Sequence, residues 1–89
     1  MSQSNVAKKT LTVKNKLGLH ARPAALFVQI ANKYDAEISV KKGRQIVNGK
    51  SIMGIMMLAA SRGSKIYITA KGSDAREAVE ELENLVTSR

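Results

Sequence analysis

The spacing of apolar and polar positions changes several times along the chain, and each change marks an element. Lys9 to Lys14 alternates, with Leu11 and Val13 on one side and Thr10, Thr12 and Lys14 on the other, which predicts a half-buried strand. From Ala21 to about Lys33 the period lengthens: Ala24, Phe27, Val28 and Ala31 share a face that Leu26 and Ile30 widen, as in a helix lying on a sheet. Glu37 to Lys41 alternates again, Lys42-Gly43 is a turn signal, and Gln45 to Asn48 returns as the second arm of a hairpin. Ser51 can cap a short helix from about Ile52 to Ala60, and Gly63 suits a left-handed cap beyond it. In that helix Ile55, Leu58 and Ala59 can face inward, leaving Met53, Met56 and Met57 on another side. Lys65 to Lys71 forms the last strand. Asp74 with Glu77 reads as a capping box opening a final helix, whose stripe is Ala75, Ala78, Val79, Leu82, Leu85 and Val86.

The order strand, helix, strand, strand, helix, strand, helix implies an α+β layer with helices on one face of an antiparallel sheet. Periodicity alone does not set the order of the strands. Residues 1–8 are polar without a period and are expected to form a flexible N-terminal arm, with residues 9–89 as a single domain.

Composition narrows the classes open to this chain. Its 89 residues leave room for one modest core, and 44% hydrophobic content is ordinary for a soluble domain. Cysteine is absent, so disulfides and thiolate metal sites are excluded, and one histidine cannot by itself supply a zinc site; no metal or cofactor is expected. The longest largely apolar stretch, Ile52 to Ala60, is too short to span a bilayer, and the first five residues lack the apolar core of a signal peptide. A cytoplasmic location without stable membrane association is the default expectation. The formal charge of +8 is uneven: residues 1–73 carry thirteen Lys/Arg against Asp35 and Glu37, whereas residues 74–89 carry two Arg against five acids. A basic body of this kind favours encounter with an acidic partner surface.

Candidate chemistry concentrates in Leu17-Gly18-Leu19-His20-Ala21-Arg22-Pro23-Ala24, where the single histidine stands immediately before a helix. Pro23 fits the first turn, where its missing N–H costs nothing, and Gly18 allows a sharp turn in the loop. A phosphate held at His20 would meet backbone amides, the positive end of the helix and the planar guanidinium of Arg22. The same residues also fit a plainer reading, in which His20 only caps the helix.

The runs LGLHARPAALFVQIANKYDAEI and NGKSIMGIMMLAASRGSKIYITAKGSDAREAVEELENLV resemble the HPr phosphocarrier family of the bacterial sugar phosphotransferase system, over roughly residues 9–88. The resemblance implies an open-faced sandwich, a four-stranded antiparallel sheet in the order 1-4-2-3 covered on one side by three helices. It further implies that His20 accepts a phosphoryl group on Nδ1 from phosphorylated enzyme I and passes it to a sugar-specific enzyme IIA, with Arg22 stabilising the phosphate. On this reading the chain is a relay substrate rather than an enzyme, and a monomer is expected. Ser51, within Asn48-Gly49-Lys50-Ser51-Ile52-Met53-Gly54, resembles the serine modified by HPr kinase/phosphorylase, which makes that kinase and a transcriptional regulator further partners. Ala21, Ala25, Ile52, Met53, Met56 and Met57 are the expected docking surface; methionine suits a carrier that meets several partners.

The chain departs from common patterns of this family in its N-terminal arm, its basicity, and Leu17 and Ala21 where hydroxyl residues often stand. Two other classes fit parts of the sequence. A nucleic-acid module would use the basic segment, but such modules usually offer stacking aromatics or a glycine clamp, and only Phe27, Tyr34 and Tyr67 are present; no nucleic-acid partner is expected. A small hydrolase could use His20 with Arg22, yet no second base or carboxylate pair accompanies them.

Overall fold

Alternation along the last strand places Ile66, Ile68 and Ala70 on one face, all with no exposed surface, and this face forms the floor of the core. The computed structural model describes residues 5–88. Its elements are β1 (Val6–Thr12), α1 (Ala21–Ala31), β2 (Glu37–Lys42), β3 (Gln45–Asn48), α2 (Ile52–Met57), β4 (Lys65–Lys71) and α3 (Ala75–Thr87). The strands lie in the order β1-β4-β2-β3, and every neighbouring pair is antiparallel. The fold is thus the three-helix open-faced sandwich expected above. β4 is interior, bonded to β1 through Val6↔Lys71 to Thr12↔Lys65 and to β2 through Glu37↔Lys71 to Lys41↔Tyr67.

The helices bury the stripes that their spacing predicts. Ala24, Phe27, Val28 and Ala31 of α1, and Ala75, Ala78, Val79, Leu82 and Val86 of α3, face Leu11, Val13, Ile38, Val40, Ile66 and Ile68 in one core. Phe27 is the largest side chain without solvent contact. Burying such a ring contributes about 2–3 kcal/mol, so core side chains rather than surface ion pairs hold the layers together.

Several boundaries differ from the expectation, each for a local reason. β1 begins at Val6, so residues 6–8, expected in the arm, extend the ladder on β4; residues 1–4 lie outside the described residues. α1 ends at Ala31 with Asn32 as its cap rather than at Lys33. Lys42 still pairs, with Gln45, and the turn is Gly43-Arg44, with Gly43 at φ +61°, the glycine-first geometry of a tight hairpin. α2 stops at Met57 with Leu58 as its cap, because Ala59 turns into the left-handed region at φ +49°. Ala59 is consequently exposed rather than inward, whereas Ile55 and Leu58 are buried as expected. Gly63 does adopt a positive φ, +92°, but in the following turn, where its amide donates to the Val13 carbonyl at 2.8 Å.

Asp74 also departs from the capping box. Its carboxylate makes no cap bond on α3 and instead accepts from the Asp35 amide at 2.9 Å and the Ala36 amide at 3.0 Å. Two otherwise unpaired loop amides thereby gain a charged acceptor, which outweighs a cap that water can replace.

A second polar tie joins α1's exit to α3. Glu81 accepts from Lys33 Nζ at 2.6 Å and from the Tyr34 hydroxyl. The Tyr34 phenol is raised from 10.0 to about 12, chiefly by its hydrogen bond to Glu81 and then by burial, while Glu81 is lowered by its bonds to Lys33 and Tyr34. A raised phenol contributes stability that is fully present below pH 10 and lost as pH rises towards 12; a lowered carboxyl contributes stability that is lost as pH falls through its folded value. Tyr34→Phe is therefore expected to unfold at a lower midpoint than wild type at pH 7, with the two curves converging between pH 10 and 12, as read by denaturant unfolding across pH.

Candidate functional site

His20 is the N-cap of α1, with extended backbone at φ −81° and ψ −161°, and its carbonyl accepts the first helical bond, from the Ala24 amide at 2.8 Å. Its imidazole makes no cap bond and is exposed. The cap is thus made by the backbone alone, and the ring is left for something else. Pro23 occupies the third helical position, where no intrahelical donor is required, so the turn around His20 forms without penalty. Arg22 lies exposed in the same turn, and among the described residues it makes no ion pair.

The loop before His20 is held from the other side. Gly18 has φ +72°, and a Cβ there would lie 2.7 Å from the Ala60 carbonyl oxygen and 2.9 Å from Ser61 Cα. The Leu19 amide donates to Ala60 O at 2.9 Å, and Leu19 itself is buried. The chain after α2 therefore forms a wall against which this loop is pressed. A cleft of about 180 Å³ lies between them, lined by Leu19, His20, Met56, Ala59, Ala60 and Ser61. A larger depression of about 490 Å³ opens beside β2, β3 and β4, around Glu37, Ser39, Ile46, Lys50 and Lys71, and holds none of the expected site residues.

Of the expected docking residues, Ile52, Met53, Met56 and Met57 are all exposed on α2, Met53 the most at 73%. Leu17, at 71%, and Leu26 add exposed apolar surface from the other side of His20. Ala21 is exposed and Ala25 half-buried on α1. Of Met53, Met56 and Met57, Met56 alone lines the His20 cleft itself. Ser51 is the N-cap of α2, its Oγ accepting from the Gly54 amide at 3.0 Å. It stands five residues before Met56, about 7.5 Å along the helix axis, and does not line the cleft.

The wall residues Ala59, Ala60 and Ser61 were not legible as part of this site. They are small, carry no period, and reach His20 only through a contact some forty residues apart in sequence. Gly18 was the one available signal, since a glycine beside a functional residue often marks close approach of another backbone.

By architecture the chain is a phosphocarrier-type sandwich: it superposes on the phosphocarrier protein HPr of Bacillus anthracis with a TM-score of 0.89 and 54% identity, covering 92% of this chain and 98% of that one. The family model for the PTS HPr component phosphorylation site matches residues 7–88, and the chain belongs to the HPr family. Relatives include the HPr-like protein Crh of Halalkalibacterium halodurans, 51% identical over 77 residues, which are 86% of this chain and 92% of that protein. The crystal structure of Crh from Bacillus subtilis, a dimer with a swapped domain, matches with a TM-score of 0.73 and 44% identity over 97% of this chain and 93% of that one. Among the described residues no helix is long and apolar enough to cross a membrane.

The fit of the loop against its wall has a measurable consequence. Gly18→Ala must adopt a left-handed φ and overlap the Ala60 carbonyl, so it is expected to lose about 2 kcal/mol or more in denaturant unfolding at pH 7.

Proposed function

We propose that His20 is the phosphoryl acceptor of this carrier, loaded by phosphorylated enzyme I and unloaded by a sugar-specific enzyme IIA. The observation that carries this reading is the exposed imidazole at the N-cap of α1, without a cap bond, with Arg22 two residues on. In loading, the Nδ1 lone pair of neutral His20 attacks phosphorus in line as the phosphorus–nitrogen bond of the donor phosphohistidine breaks and its electron pair returns to the donor ring. Unloading repeats the exchange with the next acceptor. Both steps exchange one phosphorus–nitrogen bond for another, so the carrier needs only modest stabilisation of the group; positioning and charge are the means. The amides of Ala21 and Arg22 at the helix start, together with the Arg22 guanidinium, suit the dianionic phosphoryl group.

A shallow, open site supports a relay substrate rather than an enzyme, because the donor and acceptor proteins must bring their own reacting groups to His20. Ala21, Ala25, Ile52, Met53, Met56 and Met57 serve as the adaptable docking surface on this reading, and the basic body steers acidic partners towards it. The carrier acts in the cytoplasm and as a monomer; the swapped Crh dimer names the alternative assembly, which sedimentation of the full chain distinguishes.

Incubation with enzyme I and phosphoenolpyruvate, followed by intact-mass measurement, tests the reading. Wild type is expected to gain one acid-labile phosphate and His20→Ala none, while Arg22→Met slows loading about tenfold or more. A folded wild type that stays unmodified, beside an enzyme I that loads another HPr, would refute it.

Ser51 supports a second, regulatory modification by an ATP-dependent HPr kinase/phosphorylase, whose effect would fall on docking and on a transcriptional regulator. Its hydroxyl is half-buried at the helix start, where a phosphate is electrostatically tolerated. Ser51→Ala is expected to abolish ATP-dependent labelling by that kinase. The same change removes the bond to the Gly54 amide and should cost about 1 kcal/mol in thermal or denaturant unfolding, without preventing phosphate gain at His20.

A further inference from the structure

The wall beside His20 is fastened from outside α2 by one side chain. Lys42, the last residue of β2, donates from Nζ to the Leu58 carbonyl at 3.1 Å and to the Ala59 carbonyl at 3.3 Å. These carbonyls follow the last turn of α2, where the helix itself offers them no amide. Ala59 is the only non-glycine residue described with a positive φ, at +49°. An alanine keeps such a conformation only when its surroundings impose it. The next carbonyl, that of Ala60, then receives the Leu19 amide at 2.9 Å, and Leu19 directly precedes His20.

We propose that Lys42 is a positioning residue for phosphoryl acceptance at His20, acting through the left-handed turn at Ala59 and the Ala60–Leu19 hydrogen bond. The proposal rests on the carrier reading given above. Because the His20 ring makes no cap bond, its placement depends on the Leu19–His20 backbone and on the cleft wall. In-line transfer is sensitive to that placement: a misplacement of about 1 Å caused far from the reacting atoms can cost about a hundredfold in rate. Lysine suits the task because its ammonium has three donors and its half-buried stem reaches from the hairpin to the helix end. A neutral side chain of similar length keeps the packing but leaves both carbonyls to water, and the turn is then held only from within.

The test compares wild type, Lys42→Met, Lys42→Arg and His20→Ala in loading by enzyme I with phosphoenolpyruvate, together with hydrogen exchange of the Leu19 amide and the unfolding midpoint. Lys42→Met is expected to lower kcat about tenfold with KM for the carrier within twofold of wild type. Its Leu19 amide should exchange about tenfold faster. Lys42→Arg, which can still donate to both carbonyls, should recover most of both losses. A merely structural lysine would shift the unfolding midpoint without this split between kcat and KM. The proposal is overturned if Lys42→Met loads like wild type, if its loss appears only in KM, if Leu19 exchange is unchanged, or if Lys42→Arg recovers nothing. Should wild type itself take no phosphate, the carrier reading falls and this proposal with it; loading of wild type and Lys42→Met alike removes this proposal alone.

Discussion

A four-stranded sheet with one apolar face must hide that face, and among the described residues three helices cover it. This constraint shapes everything else in the molecule. β4 lies inside the sheet with Ile66, Ile68 and Ala70 on its buried face, and β1 and β2 flank it antiparallel. α1 and α3 pack together above the sheet, while the shorter α2 closes the space over β3. Polar ties such as Asp74 to the Asp35 and Ala36 amides, and Glu81 to Lys33 and Tyr34, fasten the corners of this arrangement rather than create it.

The His20 site is a product of how the layers meet at one edge. The chain leaving β1 must climb from the sheet to α1, and the chain leaving α2 must descend to β4. These two connections run side by side, Val13 bonded to Gly63 and Ser64 and the Leu19 amide to Ala60, with Gly18 pressed against Ala60 and Ser61. The histidine emerges at the top of that contact, on the first turn of a helix whose inner face is locked into the core. On the carrier reading proposed above, the exposed ring over a backbone held by the Leu19–Ala60 bond stays open to both a donor and an acceptor protein.

The apolar side chains left outside are as informative as those within. Leu17 in the loop before His20, Leu26 on α1, and Ile52, Met53, Met56 and Met57 on α2 are all exposed, and Met56 lines the His20 cleft. The open face of the sheet is more polar, with Lys8, Thr10, Thr12, Lys65, Thr69 and Lys71 presented by strand alternation beside the exposed Val6, Ile46 and Tyr67. The basic charge is spread over both regions, so on the proposed reading charge would favour encounter and the apolar surface would set where contact settles.

The element order, the apolar stripes, the lone histidine before a proline-containing helical turn, and the serine at the start of α2 are legible along the chain alone. These are local properties: strand alternation, helical spacing and capping chemistry act within a few residues, so they can be read without knowing what lies across the fold. Even there the boundaries shifted where a distant partner intervened. β1 gained residues 6–8 because β4 extends far enough to pair them, and Asp74 gave up its cap for the Asp35 and Ala36 amides. Strand order, the left-handed turn at Ala59, the wall formed by Ala60 and Ser61, and the reach of Lys42 to the end of α2 were decided only in the tertiary structure. Each depends on groups brought together from separate elements, and no local period or propensity encodes the distance between them.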